Sequence, residues 1–313
     1  MYGYFGPAGT FTHQALRTLD PGDARPFPSV ARAIAAAARG EVEASLVPLE
    51  NSVEGGVSAT LDTLAAGDGL RILREVVIPV QFGLWVRPGT TLDQVRSVLT
   101  HPHAAAQCRD WLEAHLPAGA DLTQSGSTAG AAREVSDQRS QYDAAVCAEV
   151  AGRMYGLVAA ALDIADNPEA RTRFVLVGRP GPLPGRTGDD RTTVVAFPRD
   201  DEPGALLGIL QQFATRGITL SRIESRPTKD RLGQYCFSID AVGHVEDERM
   251  AAALKGLYRN CRDVIFLGSY PHAVVGQGEP APHVPDHVSD EAYRRAEAWF
   301  TDAVAPSPRP GRR

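Results

Sequence analysis

Short apolar runs alternate with helical patterns along the first half of the chain. Tyr2–Phe5 reads as a strand, Gly6-Pro7-Ala8-Gly9 as a turn, and residues 10–19 as a helix. Ser29 is a residue type that caps helices and precedes a helical run to Ala38. Residues 44–48 form an apolar strand that ends at Leu49-Glu50-Asn51-Ser52, and Gly55-Gly56 closes the loop before a helix over 58–66. Further strands are expected at 72–78, 81–86, 97–99, 122–124, 144–147 and 172–177, with helices over 102–116, after Ser127-Thr128, and over 149–155. This mixed order predicts an α/β domain.

Residues 179–190 (RPGPLPGRTGDD) break the pattern, because three prolines and three glycines in that stretch hold neither a helix nor a central strand. Beyond it the order is strand 192–197, helix 204–216, strands 219–226 and 234–242, helix 247–261 and strand 264–269. That is a βαββαβ, ferredoxin-like arrangement. A Pro- and charge-rich tail follows Gln277. It holds one amphipathic helix over 289–304, with Ala292, Ala296, Trp299 and Phe300 on one side, and residues 305–313 are expected to be disordered.

Composition narrows the partners. A net charge of −6 favours neither nucleic acid nor an anionic membrane. All the cations but Lys229 and Lys255 are arginines, which reads as compositional bias. No uncharged apolar stretch reaches the ~20 residues that span a bilayer. No secretory signal precedes the first strand, so a cytoplasmic protein is expected. Cys108, Cys147, Cys236 and Cys261 are scattered without metal-ligand spacing and read as reduced, buried thiols.

Two helix starts carry hydroxyls, Gly9-Thr10-Phe11-Thr12 and Ser125-Gly126-Ser127-Thr128. Each reads either as an N-cap or as a cradle for an anion, since free N–H groups and the helix dipole favour negative charge there. Glu50-Asn51-Ser52 follows a strand, where α/β sheets bind ligands, or forms a turn capped by Asn51. Arg171-Thr172-Arg173-Phe174 reads locally as an edge segment with solvated neighbours. His101-Pro102-His103 has no third ligand and marks a helix start rather than a metal pair. No phosphate loop, nucleophile elbow or zinc-protease motif is present.

In order and spacing, the set Gly6-Pro7-Ala8-Gly9-Thr10-Phe11, Val47-Pro48-Leu49-Glu50-Asn51-Ser52-Val53-Glu54-Gly55, Ser127-Thr128-Ala129 and Thr172-Arg173-Phe174 resembles the prephenate dehydratase family. Gly204-Ala205-Leu206 and Glu224-Ser225-Arg226-Pro227 look like the effector motifs of an ACT domain. The likeness covers about residues 1–270. One departure is Ala170, where many members carry Asn, with Asn167 nearby. The first motif begins at Tyr4, so an upstream chorismate mutase domain is not expected.

The resemblance implies a two-lobed catalytic domain like periplasmic binding proteins over 1–178, one lobe being about 1–79 with 157–178 and the other about 80–156. A linker at 179–190, an ACT domain at 191–273 and a tail at 274–313 follow. It implies decarboxylating dehydration of prephenate to phenylpyruvate without metal or cofactor, feedback by L-phenylalanine, and a homodimer or homotetramer. Thr172 would donate to the leaving hydroxyl, with Glu50 as relay if burial raises its pKa. Thr10, Ser127 and Thr128 would hold a carboxylate, Asn51 and Ser52 would orient the substrate, and Phe11 and Phe174 would contact it. Arg173 would supply charge or point away from Thr172. Gly204, Ala205 and Leu206 would let the effector approach backbone, with Glu224, Ser225, Arg226 and Pro227 lining or bracing that pocket. Arogenate as substrate, and a non-catalytic solute sensor, are the competing readings.

Overall fold

The computed structural model describes residues 1–67, 69–199, 202–229, 233–273 and 284–305. They fall into two compact units, Met1–Gly181 with Ala273, and Pro182–His272 with residues 284–305.

The first lobe of the first unit runs β1 (Tyr2–Phe5), α1 (Phe11–Arg17), β2 (Ala24–Phe27), α2 (Val30–Ala38), β3 (Ala44–Asn51), β4 (Gly55–Gly56), α3 (Ser58–Ala65) and β5 (Arg71–Pro79). The second runs β6 (Gly83–Val86), β7 (Ser97–Thr100), α4 (Pro102–Gln107), α5 (Arg109–His115), β8 (Asp121–Gln124), α6 (Thr128–Ser136), β9 (Ala144–Cys147), α7 (Glu149–Met154) and β10 (Val158–Ala161). The chain then returns to the first lobe as β11 (Arg171–Gly178).

β11 lies between β3 and β5 in the sheet β2-β1-β3-β11-β5, antiparallel to both neighbours. A strand in that position is covered on both faces, which is why β3 and β11 are near-continuous apolar runs. Tyr4, Leu16, Leu46, Ile78, Phe174 and Leu176 form the core of this lobe. The other lobe is built on the sheet β10-β6-β9-β7-β8. Burial pushes the Cys108 and Cys147 thiols up to about 12, so both stay protonated packing groups.

Three features depart from the sequence reading. β2 was not expected, because Pro26 and Arg25 mask its apolar signal; it is an edge strand paired only with β1, where proline costs no ladder bond. The expected helix over 102–116 is broken at Cys108. The Asp166 carboxylate accepts from the Asp110 and Trp111 N–H groups at 3.2 Å each, so a distant side chain caps α5. The expected lobe boundary at 157 also moves, since β10 pairs antiparallel with β6. The return to the first lobe therefore falls between Ala161 and Arg171.

The second unit runs β12 (Asp190–Pro198), α8 (Ala205–Ala214), β13 (Leu220–Pro227), β14 (Tyr235–Val242), α9 (Glu248–Asn260) and β15 (Cys261–Pro271). Its antiparallel sheet has the order β13-β14-β12-β15. Ile209 and Phe213 of α8 and Met250, Ala253 and Leu257 of α9 pack on Val194, Ala196, Ile239 and Ala241, one face of that sheet. A further helix, α10 (Asp290–Val304), starts where Ser289 caps the Ala292 N–H. Residues 306–313, expected to be disordered, lie outside the described residues. Among the described residues no helix is long and apolar enough to cross a membrane.

The start of β7 is held by one carboxylate. Asp143 accepts from the backbone N–H of Arg96 (2.9 Å) and Ser97 (3.0 Å) and from Ser97 Oγ (3.0 Å). Burial alone would raise its pKa, but these bonds and the charge of Arg87 outweigh burial and lower it. A carboxylate with a lowered pKa stabilises the fold above the unfolded value near ~4 and loses that contribution as pH falls through its folded value. Asp143→Asn is expected to cost about 1 kcal/mol at pH 7, water screening this partly exposed group. Urea midpoints compared from pH 7 downward should start to close for the two proteins near pH ~4 and converge only below the lowered folded value of Asp143.

Candidate active site

Side chains alternate faces along β11, so Thr172 and Phe174 share one face and Arg173 takes the other. Thr172 pairs with Asn51 and Arg173 with Glu50, but Phe174 pairs with Pro48, leaving Leu49 as an extra residue in β3. That bulge allows Pro48 and Asn51, three residues apart, to face the same side. Both line a cleft of ≈ 460 Å³ together with Thr172 and Phe174. Proline, which cannot donate to a ladder, sits where the ladder is already irregular.

Asn51 is held from both ends. Its Oδ1 accepts from the N–H groups of Val53 (2.8 Å) and Glu54 (3.0 Å). With the carbonyl oxygen fixed on two donors, the amide nitrogen is the end that reaches Thr172, donating to Oγ1 at 2.9 Å. Thr172 is thus an acceptor toward Asn51, and its own O–H remains to be donated into the cleft. Thr172 is 8% exposed, so that bond is largely shielded from water.

Residues from both lobes close the cleft. Phe11 and Phe82 meet edge-to-face with ring centroids 5.3 Å apart. Gly126, Ser127 and Thr128 bring the first turn of α6 to it, with Ser127 Oγ accepting from the Gly130 N–H at 2.9 Å. Thr10 also lines the cleft, but its hydroxyl donates to the Pro7 carbonyl (2.9 Å) and accepts from the His13 N–H (3.3 Å), an N-cap already engaged. Gln107 Nε2 reaches Glu54 Oε1 across the cleft at 3.4 Å.

Three of the expected residues lie elsewhere. Glu50 and Arg173 are on the opposite face of the sheet, joined at 3.4 Å, and neither lines the cleft. The Glu50 side chain is 37% exposed, so the burial on which its relay role rested is missing. Arg173 is buried and its Nε lies 2.7 Å from Glu75 Oε2. Ser52 joins two strand ends: its Oγ accepts from the Arg171 N–H and its N–H donates to the Arg171 carbonyl, both at 2.9 Å.

His101 and His103 were read only as a helix start, and His101 does cap α4, its Nδ1 accepting from the His103 N–H at 3.3 Å. Both imidazoles nevertheless line the cleft. Burial, then the His103 charge, lower the His101 pKa against an opposing pull from Glu54, so His101 is a neutral hydrogen-bonding group at pH 7. The overlooked signal was position: the pair follows the carboxyl end of β7, where α/β sheets bind ligands. Among the described residues no cluster of three His, Cys, Asp or Glu suits a metal ion.

In the second unit a cavity of ≈ 480 Å³ is lined by Gly204, Ala205 and Leu206 with Thr228, Gln234, Tyr235 and Phe237. Gly204 has φ +94°, a left-handed conformation at the start of α8 that favours glycine. Glu224, Ser225, Arg226 and Pro227 lie along β13, outside that cavity; Glu224 pairs with Arg222 (3.7 Å) and Arg226 (3.8 Å).

Two α/β lobes crossed twice by the chain around a shared cleft, followed by a separate ferredoxin-like unit, define a two-lobed module joined to a small βαββαβ domain. Residues 2–182 match the family model for prephenate dehydratase and residues 199–257 that for the ACT domain. A prephenate dehydratase of Mycobacterium leprae is 46% identical over 297 residues, 91% of each chain. The crystal structure of prephenate dehydratase from Arthrobacter aurescens in complex with L-Phe superposes with a TM-score of 0.90 at 48% identity, covering 97% of this chain and 99% of that one. A structure described as a novel type of quorum-quenching acylase superposes at 0.78 with 31% identity, covering 87% of this chain and 98% of that one. The chain belongs to the prephenate dehydratase family and carries a C-terminal ACT domain.

If Asn51 sets the direction of the Thr172 proton, Asn51→Ala should lower kcat by about 10²-fold, the scale for losing one preorganised donor. KM should change only a few-fold. Steady-state kinetics with prephenate check this, and an unchanged kcat would remove Asn51 from the mechanism.

Proposed function

We propose that this chain converts prephenate to phenylpyruvate, CO₂ and water, with Thr172 as the hydrogen-bond donor to the leaving ring hydroxyl, and that L-phenylalanine regulates it through the ACT domain. The observation that carries the reading is the Asn51 amide donating to Thr172 Oγ1 inside the cleft.

The substrate already contains the driving force, because losing the ring hydroxyl and the ring carboxylate restores aromaticity. The C–O bond breaks and its electron pair leaves with the ring oxygen as hydroxide, which Thr172 meets by hydrogen-bond donation and a solvent proton converts to water. The electrons of the bond to the ring carboxylate move into the ring as CO₂ departs. A threonine hydroxyl is a very weak acid, so Thr172 acts by donation to the departing oxygen, and the charge that grows on its own oxygen is met by the Asn51 N–H. The protein places this pair before the substrate arrives, which is where electrostatic preorganisation gains its effect. Phe11, Phe82 and Phe174 keep the departing carboxylate poorly solvated. The first turn of α6, with Ser127 and Thr128, suits the substrate's side-chain carboxylate, since this helix start lines the cleft and a helix N-terminus favours an anion.

Acyl transfer, the chemistry of the related acylase, asks something different of a hydroxyl. A nucleophilic Thr needs a base that accepts its proton. Here the short contact to Thr172 Oγ1 comes from a donor, the Asn51 amide, which favours proton donation over nucleophilic attack. For the effector, the Gly204–Leu206 backbone and the apolar side chains around it suit an amino acid with an aromatic side chain. Leu206, Leu207 and Tyr235 are 38%, 57% and 48% exposed, apolar area that a second copy of the chain would cover.

Thr172→Val keeps the shape of the side chain and removes its hydroxyl. Phenylpyruvate formation from prephenate should fall by about 10²–10⁴-fold in kcat, with KM within a few-fold. The assay run with prephenate and arogenate side by side, with and without L-phenylalanine, tests the rest. A near-normal kcat in Thr172→Val, or preference for arogenate, would overturn the corresponding part.

A further inference from the structure

Glu75 on β5 is a buried carboxylate that the cleft chemistry does not use. Its side chain is 0% exposed. Val77 stands opposite Arg173, and Glu75 lies two residues further along the same face of β5. Glu75 Oε2 takes the Arg173 Nε–H at 2.7 Å, and Arg173 extends from the residue adjoining Thr172. Its other oxygen, Oε1, accepts from the backbone N–H of Ala273 at 2.7 Å. Ala273 belongs to the first unit, yet it follows β15, the last strand of the ACT domain, by only two residues.

We propose that Glu75 is a positioning residue that makes the catalytic strand responsive to the segment leaving the ACT domain at Ala273. The inference rests on the reading that L-phenylalanine is the effector.

A carboxylate without access to water must keep its partners. If effector binding draws the chain at Ala273 away, Glu75 loses one of its hydrogen bonds. Its hold on Arg173 is then redistributed. The Arg173 backbone is the ladder that sets Thr172 against Asn51, since Thr172 pairs with Asn51 and Arg173 with Glu50. The hydroxyl is set by a 2.9 Å bond, so a small shift of β11 is enough to spoil it. Spatial continuity of this kind acquires meaning as coupling only when perturbing its middle changes the effect of one end on the other.

The test uses the full-length protein, with initial rates over a range of L-phenylalanine and L-phenylalanine binding by calorimetry. Ala273→Pro removes the N–H without touching the cleft, and Ala273→Gly keeps it. Ala273→Pro should retain the uninhibited kcat and bind L-phenylalanine, while the concentration for half-inhibition rises by about 5–150-fold, the usual range of allosteric coupling. Ala273→Gly should be inhibited as the parent is. Glu75→Gln should show the same loss of inhibition along with a lowered kcat, and it decides the matter should Ala273→Pro fail to fold. Inhibition at the parent concentration in both Ala273→Pro and Glu75→Gln would overturn the proposal. A parent protein that neither binds nor responds to L-phenylalanine would instead overturn the effector reading, and the coupling with it.

Discussion

The register between β3 and β11 is the constraint on which the site depends. The two strands are separated by the whole second lobe, so Asn51 and Thr172 meet across 121 residues of chain. In a sheet the side-chain period is two, and a slip of one residue would turn Arg173 into the cleft and bury Thr172 behind it. Several devices hold the register. Ser52 and Arg171 exchange a pair of 2.9 Å bonds at the strand ends, and the Glu75–Arg173 ion pair locks the far face. The bulge at Leu49 adds the one residue that brings both Pro48 and Asn51 to the cleft.

The second lobe contributes surfaces rather than the central pair. Its role follows from where the chain crosses. β5 ends at Pro79, and the backbone N–H of Val80 donates to the Ala170 carbonyl at 2.8 Å, so the outgoing and returning strands are tied at the crossing. Phe82, just past that point, meets Phe11, and His101, His103 and Gln107 come from the end of β7 and from α4. The lobe thus supplies apolar surface and hydrogen-bonding side chains. The Thr172 hydroxyl, the proposed donor, stays on β11 in the sheet of the first lobe.

Much of this was legible in the residues. The alternation of apolar runs and helical patterns located most strands, and the ordered motifs drew attention to Asn51, Thr172 and the hydroxyls at the start of α6. What local sequence hides is partnership at a distance. The cap on α5 comes from Asp166, so the stretch 102–116 looks like one helix until that carboxylate arrives. Glu50 reads as a site residue because it stands beside Asn51, yet adjacency in a strand means opposite faces. Its partner Arg173 follows the same rule beside Thr172. Ser52 looks like a ligand-facing hydroxyl and is spent on the strand junction. His101 and His103 lack metal-ligand spacing and read as a helix start, whereas their position after β7 brings both to the cleft.

A threonine as the proposed donor also suits the strand. A β-branched side chain has little freedom in χ1 on a pleated sheet, so its hydroxyl starts near one direction before any partner acts. Asn51 then removes most of the remaining freedom by occupying one lone pair of Oγ1. Serine in the same place would need its rotamer selected as well, at a further cost in entropy. The amide that does the selecting is itself fixed by the Val53 and Glu54 N–H groups of the turn that Gly55 and Gly56 complete. The direction of one proton is therefore set by a tight turn, a bulge and a strand register acting together, and no charged group in the cleft needs to touch the hydroxyl to orient it.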